Sequence, residues 1–210
     1  MLSNRLTMKK ISLIALMIVC SSTVLLAQNA PVWGIKGGIN LASWNHANKT
    51  TQESLESRLG FHVGLLSHNH ISNKIAIQPE IQFSTQGTEV ELGDNDIEYR
   101  TSYINVPVML QYMFNNGFRI EAGPYIGFLV GAKDVSANGT EVNSKDDYKT
   151  VDAGLGFGLN YLSYSGFGVG GRYNLGLANI NDRLGDKVQN RVFQLSVFYM
   201  FDNDHKAKSR

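Results

Sequence analysis

From Val32 onward the chain holds no long apolar stripe of helical period. Instead apolar and polar residues alternate with period two in eight successive segments, as expected of strands with one apolar and one polar face. The first sets Trp33, Ile35, Ile39 and Leu41 opposite Gly34, Lys36, Gly38 and Asn40. The second sets Leu59, Phe61, Val63 and Leu65 opposite Arg58, Gly60, His62 and Gly64. Six more follow, led on their apolar sides by Ile75, Ile104, Phe118, Val151, Phe167 and Phe193, the last ending at Phe201.

The charges sort with the faces. Lys36, Arg58, Glu80, Arg119, Glu121, Asp152 and Arg172 all fall on polar rows, and no charged residue falls on an apolar row. The connections alternate too: 42–57, 87–96, 132–147 and 178–190 are long and polar, whereas 66–74, 113–117 and 162–165 are tighter. Strands joined in order, with all long loops at one end, predict an all-β, eight-stranded antiparallel up-and-down sheet. An even strand number lets it close into a barrel and so removes its edges.

Such a barrel carries its apolar rows either inside, as a soluble carrier, or outside against lipid. Three features favour a transmembrane β-barrel. Each row is long enough, tilted, to cover the roughly 25 Å apolar band of these proteins. Aromatics gather at strand ends, at Trp33, Tyr112, Phe118, Tyr161, Phe167, Tyr199 and Phe201, where interfacial girdles lie. The polar rows are rich in Gly, Ser, Asn and Gln and poor in charge, unlike a soluble exterior. Enclosed charges are costly unless paired, so Glu121 or Asp152 is expected to meet Arg119 or Arg172, plugging the lumen. Pro79, Pro107 and Pro124 each forfeit a ladder hydrogen bond, and local bulges are expected to absorb them.

The N-terminus supplies an address. Lys9 and Lys10 precede an apolar stretch from Ile11 to Leu26 that ends in Ala27, the pattern of a cleaved secretory signal, with Met8 the better start and Met1 to Thr7 an over-long beginning. Serines and Thr23 interrupt the stretch, which falls short of the roughly 20 apolar residues of a helical span. The expected organisation is a signal peptide over 1–27, a barrel over 28–201 and a polar tail over 202–210. The only cysteine, Cys20, leaves with the signal, which removes disulfides, thiolate metal sites and cysteine nucleophiles. Charged residues make up 18% of the chain with a formal charge of +1, so there is no basic field to attract nucleic acid.

The segments Trp33-Gly34-Ile35-Lys36-Gly37-Gly38-Ile39-Asn40, Gln78-Pro79-Glu80-Ile81, Tyr103-Ile104-Asn105-Val106-Pro107, Glu121-Ala122-Gly123-Pro124-Tyr125 and Gly170-Gly171-Arg172-Tyr173 together resemble the PorT-like outer-membrane β-barrel family of Bacteroidota. The likeness spans nearly the whole mature chain, and its proline patterns are habitual in that family. The resemblance implies an exported barrel in the cell outer membrane; the family's namesake assists a dedicated protein-secretion system. The chain departs from the usual barrel ending, because Asp202 to Arg210 follow Phe201.

No motif carries a specific chemistry. Gly154-x-Gly156-x-Gly158 and Gly166-x-Gly168-x-Gly170 lead into no helix that would bind a phosphate, and the alternating glycines read as small residues of a narrow lumen. His68 and His70 supply two metal ligands at most, and Gly93-Asp94-Asn95-Asp96 lacks the distant glutamate of a calcium loop. A rim enzyme would have to assemble His46 with Asp94 or Asp96 and Ser136 or Ser144, without supporting spacing. The sequence therefore predicts no catalytic residue, cofactor or metal. Its partners are expected to be the lipid bilayer and envelope or secretion-system proteins met by four surface loops, with Trp44, Asn45, Asp134 and Lys145 as contact candidates. A small pore or small-molecule carrier is the second class, and a rim enzyme the third.

Overall fold

The structure is a computed structural model that describes residues 31–46, 54–91, 96–182 and 187–201. The expected signal segment 1–27 and tail 202–210 lie outside the described residues. Eight long strands form the wall: β1 (Val32–His46), β3 (Arg58–His70), β4 (Ile75–Glu91), β5 (Ile97–Met113), β6 (Phe118–Ser136), β8 (Val151–Leu162), β9 (Phe167–Gly176) and β10 (Val188–Met200). Two short strands, β2 (Ser54–Glu56) and β7 (Glu141–Asn143), pair with the outer ends of β4 and β6. Every long strand is antiparallel to its sequence neighbour among the eight, and β1 pairs with β10 from Gly34↔Met200 to His46↔Val188, closing the ring. The fold is the eight-stranded up-and-down barrel that the alternation predicts.

The two faces point as the lipid reading requires. Residues such as Leu59 (61% exposed), Leu195 (46%) and Val197 (63%) stand on the outer wall, whereas Lys36, Glu80, Gln194 and Arg172 are buried inside. An apolar exterior over a polar, side-chain-filled interior inverts the soluble arrangement and belongs in a bilayer. At the end carrying the short turns, outward aromatics touch: Phe118 and Tyr161 at 5.2 Å between ring centroids, Phe167 and Tyr199 at 4.7 Å, and Tyr112 and Phe114 at 5.1 Å. This girdle marks the periplasmic interface, since short turns lie on that side of such barrels.

Inside, the lumen is layered. Val32, Leu66, Leu162, Phe198 and Met200 form an apolar floor at the turn end. Charged and then amide and hydroxyl side chains follow. Near the outer mouth Trp44, Ile180 and Val188 pack together with Tyr99 and Tyr148.

Two expectations need correction. The long connections are shorter than their composition suggests, because β1, β4, β5 and β6 continue past the apolar band to His46, Glu91, Ile97 and Ser136. There the outward row changes to polar residues, which leaves backbone pairing intact but erases the apolar alternation that reveals a strand. The prolines are absorbed without bulges: the β4–β5 register is the same at Pro79↔Val108 as at Gln82↔Asn105, and the β5–β6 register is the same at Pro107↔Tyr125 as at Leu110↔Ala122. The recorded shift lies instead between Ser102 and Tyr103, which face Gly131 and Leu129 and leave Val130 as the extra residue.

Candidate functional site

Each charged lumen residue sits where period two places it, so β1, β4, β6 and β9 aim Lys36, Glu80, Glu121 and Arg172 at one level of a narrow interior. Arg172 donates from Nη1 and Nη2 to the two Glu80 oxygens at 2.9 and 2.6 Å, and from Nε to Glu121 at 2.7 Å. Lys36 Nζ lies 3.5 Å from Glu80. Gln78 Nε2 donates to Glu80 at 2.7 Å, Gln111 Nε2 donates to Glu121 at 2.9 Å, and Gln82 also donates to Glu80. Two cations and two carboxylates are thus joined across the barrel, with amides meeting further lone pairs, as charges far from water require.

A second layer lies toward the outer side. His62 bridges Asn40 Oδ1 at 2.7 Å and Ser196 Oγ at 2.9 Å, and Asn40 Nδ2 donates to Ser84 at 3.0 Å. These neutral residues are absent from the network that the charges alone predict. Their membership of the polar rows was the available signal, but neutral side chains give no charge complementarity by which to choose partners.

The other three charges stand apart from the central cluster. Asp152 accepts from Tyr125 OH at 3.2 Å and Asn190 Nδ2 at 3.0 Å, and makes no ion pair among the described residues. The expected pairing with Arg172 fails on height: Arg172 faces Gly158 of β8, six positions from Asp152, or roughly 20 Å along a strand. Arg119 is buried opposite Asn160, lower still, and also makes no ion pair among the described residues. Arg58 pairs with Glu98 of β5 at the outer rim, because it opens β3 above the central level.

The loop candidates need correction as well. Trp44 and Asn45 lie on β1; Trp44 is buried, its ring 5.2 Å from that of Tyr99 and 5.6 Å from that of Tyr148, so it lines the mouth from within. Asp134 lies on β6, half-buried, and accepts from Ser144 Oγ at 2.6 Å. Lys145 is exposed in the short 3₁₀ turn Lys145–Asp147. His68 and His70 are on β3 with rings edge to face at 4.8 Å, and no group of three metal-ligating side chains occurs among the described residues. Of the rim-enzyme residues, Asp94 lies outside the described residues, and Ser144 is engaged by Asp134.

The outer rim carries its own charges. Glu98 accepts from Arg100 Nη2 at 2.6 Å and from Arg58 Nε, while Lys133 Nζ donates to Glu141 at 2.8 Å. Chiefly because of the Arg100 hydrogen bond, the Glu98 carboxyl titrates below the usual range.

Comparison with known proteins agrees with this architecture. Residues 26–182 match the family model described as outer membrane protein beta-barrel domain. Among solved structures the chain is similar to Neisserial surface protein A, at 13% identity over 80% of this chain and 97% of that one, with a TM-score of 0.52. It is also similar to Ail, the attachment invasion locus protein of Yersinia pestis, at 15% identity over 82% of this chain and 100% of that one, with a TM-score of 0.48. No curated protein matches the chain significantly. Likeness at this identity speaks to fold alone, whereas the family model covers most of the sequence: the chain belongs to the outer membrane protein beta-barrel domain family and resides in the outer membrane.

Proposed function

We propose that this chain is a non-enzymatic outer-membrane barrel whose wall holds surface loops for interaction or envelope support, within the PorT-like group and as an accessory to protein secretion. The carrying observation is the cross-lumen cluster of Lys36, Glu80, Glu121 and Arg172, placed between an apolar floor and the Trp44 layer. A lumen filled by paired side chains supports a role for the rigid wall and its loops over a role for the interior. The first 27 residues serve in this reading as a cleaved export signal, so the mature protein begins at Gln28, which N-terminal sequencing of outer-membrane material reads directly.

The decisive experiment is affinity capture of the full chain from cross-linked envelopes, paired with single-channel recording of the purified barrel. Recovery of secretion components with conductance far below the porin range is the expected result. Stable porin-range conductance would favour the pore or carrier reading, and capture of no envelope protein would remove the accessory role.

A further inference from the structure

A recess of about 320 Å³ opens on the outside of the wall, at the outer end of β4, β5 and β6. Its lining includes Arg58, Arg100, Lys133, Lys145, Ser102 and Val130. Below it the outward rows are apolar: Phe83 on β4, Ile104 on β5, and Phe128 and Val130 on β6. Going outward these rows become Thr85, then Ser102 and Arg100, then Lys133. The change falls at one height on three adjacent strands, so the recess sits where acyl chains give way to headgroups.

Lys133 reaches this wall because of the Val130 bulge. Below it the odd residues of β6, Glu121, Tyr125 and Leu129, face inward; above it the even residue Ala132 does so and Lys133 turns outward. Two carboxylates pair with three of the four cations: Glu98 takes Arg58 and Arg100, and Glu141 takes Lys133 with Arg100 at 3.7 Å, while Lys145 makes no ion pair among the described residues. A third carboxylate, Glu89, the cross-strand neighbour of Glu98, lines the adjoining recess with Asp96 and Glu98, so four cations stand against three carboxylates. The basic recess therefore keeps an excess of positive charge. The outward rows elsewhere on the rim carry no comparable cluster among the described residues: β1 shows Ser43 and Asn45, and β10 shows Arg191 and Gln189.

We propose that this recess binds a phosphate on the headgroup of an outer-leaflet glycolipid, with the acyl chains lying along Ile104 and Phe128. The chemistry is that of a phosphate monoester: Lys133 and Lys145 supply charge on flexible stems, Arg100 a planar donor fork, and Ser102 a hydroxyl. A lipid, rather than a free anion, is the occupant because the apolar rows continue directly beneath the cations, so headgroup and tail are met together.

The test uses the full chain, purified and folded in detergent, with diphosphorylated lipid A, dephosphorylated lipid A and inorganic phosphate as probes, read by native mass spectrometry and titration. Lipid A binds, weakens as salt is raised, and binds about thirtyfold less tightly to the K133Q/K145Q double variant, from roughly 1 kcal/mol per basic residue at a membrane surface. E141Q, which frees Lys133, tightens binding, and K74Q at the periplasmic turn leaves it unchanged. Three outcomes would overturn the proposal: undiminished binding by a folded K133Q/K145Q barrel, equal binding of the dephosphorylated lipid, or inorganic phosphate binding as tightly as lipid A.

Discussion

The Arg172 guanidinium and the Glu80 carboxylate meet across the closed lumen in a two-pronged pair, at 2.9 and 2.6 Å, from positions 92 residues apart in sequence. Such a pair ties β4 to β9 through the interior, although the two strands are not neighbours in the wall. Replacing Arg172 by Met strands two carboxylates in a dry interior with Lys36 as their remaining cation. The expected cost is about 3–5 kcal/mol, read as a lower urea midpoint for unfolding from lipid vesicles. The double variant E80Q/R172M should recover part of that loss; a double variant no more stable than R172M would show that the charges do not act as a pair.

Glycines on the two faces of the wall should respond differently to an added methyl group. A Cβ at Gly38 would stand 1.9 Å from the Leu195 carbonyl oxygen, a backbone atom with no rotamer to change, whereas at Gly171 the nearest atom is the Phe193 ring at 3.7 Å. Gly38→Ala should therefore cost about 1–3 kcal/mol or more and lower the folded yield in vesicles, while Gly171→Ala behaves as wild type. Equal folding of both variants would place the β1–β10 seam further apart than described.

The outward direction of the apolar rows is testable with single charges. Leu195→Arg, on the mid-wall of β10, should lose about 2–4 kcal/mol of folding stability in bilayers. Val142→Arg, on exposed β7 beyond the band, should lose little. Equilibrium folding into vesicles separates the two, and a tolerated Leu195→Arg would contradict the lipid-facing assignment.

Glu98 gives the outer rim a defined pH response. The hydrogen bond from Arg100, with help from Arg58, holds its carboxyl below the ordinary glutamate value in the folded state. A depressed folded value means that the stabilisation is fully present above the unfolded glutamate range. It is lost as pH falls through the folded value. Amide exchange in outer β5, followed as pH is lowered from neutral, should show this loss in the wild type. In E98Q the protection is already reduced at neutral pH and this step is missing. Matching profiles would leave Glu98 without a role in ordering the rim.

Much of the wall was legible because a bilayer and a narrow lumen impose opposite demands on successive residues. Ile35 and Lys36 could not exchange faces without exposing a cation to lipid. Legibility ended where those demands end. Above the apolar band Thr85, Ser102 and Arg100 are outward residues at headgroup level, where polar side chains are at home, so the outer halves of β4 and β5 read as loop although their backbones remain paired. Trp44 reads as a loop residue for the same reason: its strand continues beyond Leu41, where the outward partners become Ser43 and Asn45. In the lumen, alternation gives the face of a residue but not its height. Alternation thus makes Arg172 and Asp152 eligible partners, whereas the register sets them at different levels. The bulge at Val130 carries no proline or compositional mark that would separate it from its neighbours.

That one surplus residue sets the parity of everything beyond it: without a bulge, the same sequence would turn Lys133 toward the mouth interior and Asp134 toward the membrane surface. Deleting a single amino acid between Leu129 and Ala132 removes the surplus and leaves the tip of β6 facing as it does now. This stretch should therefore tolerate a one-residue deletion that a regular stretch of the wall would not.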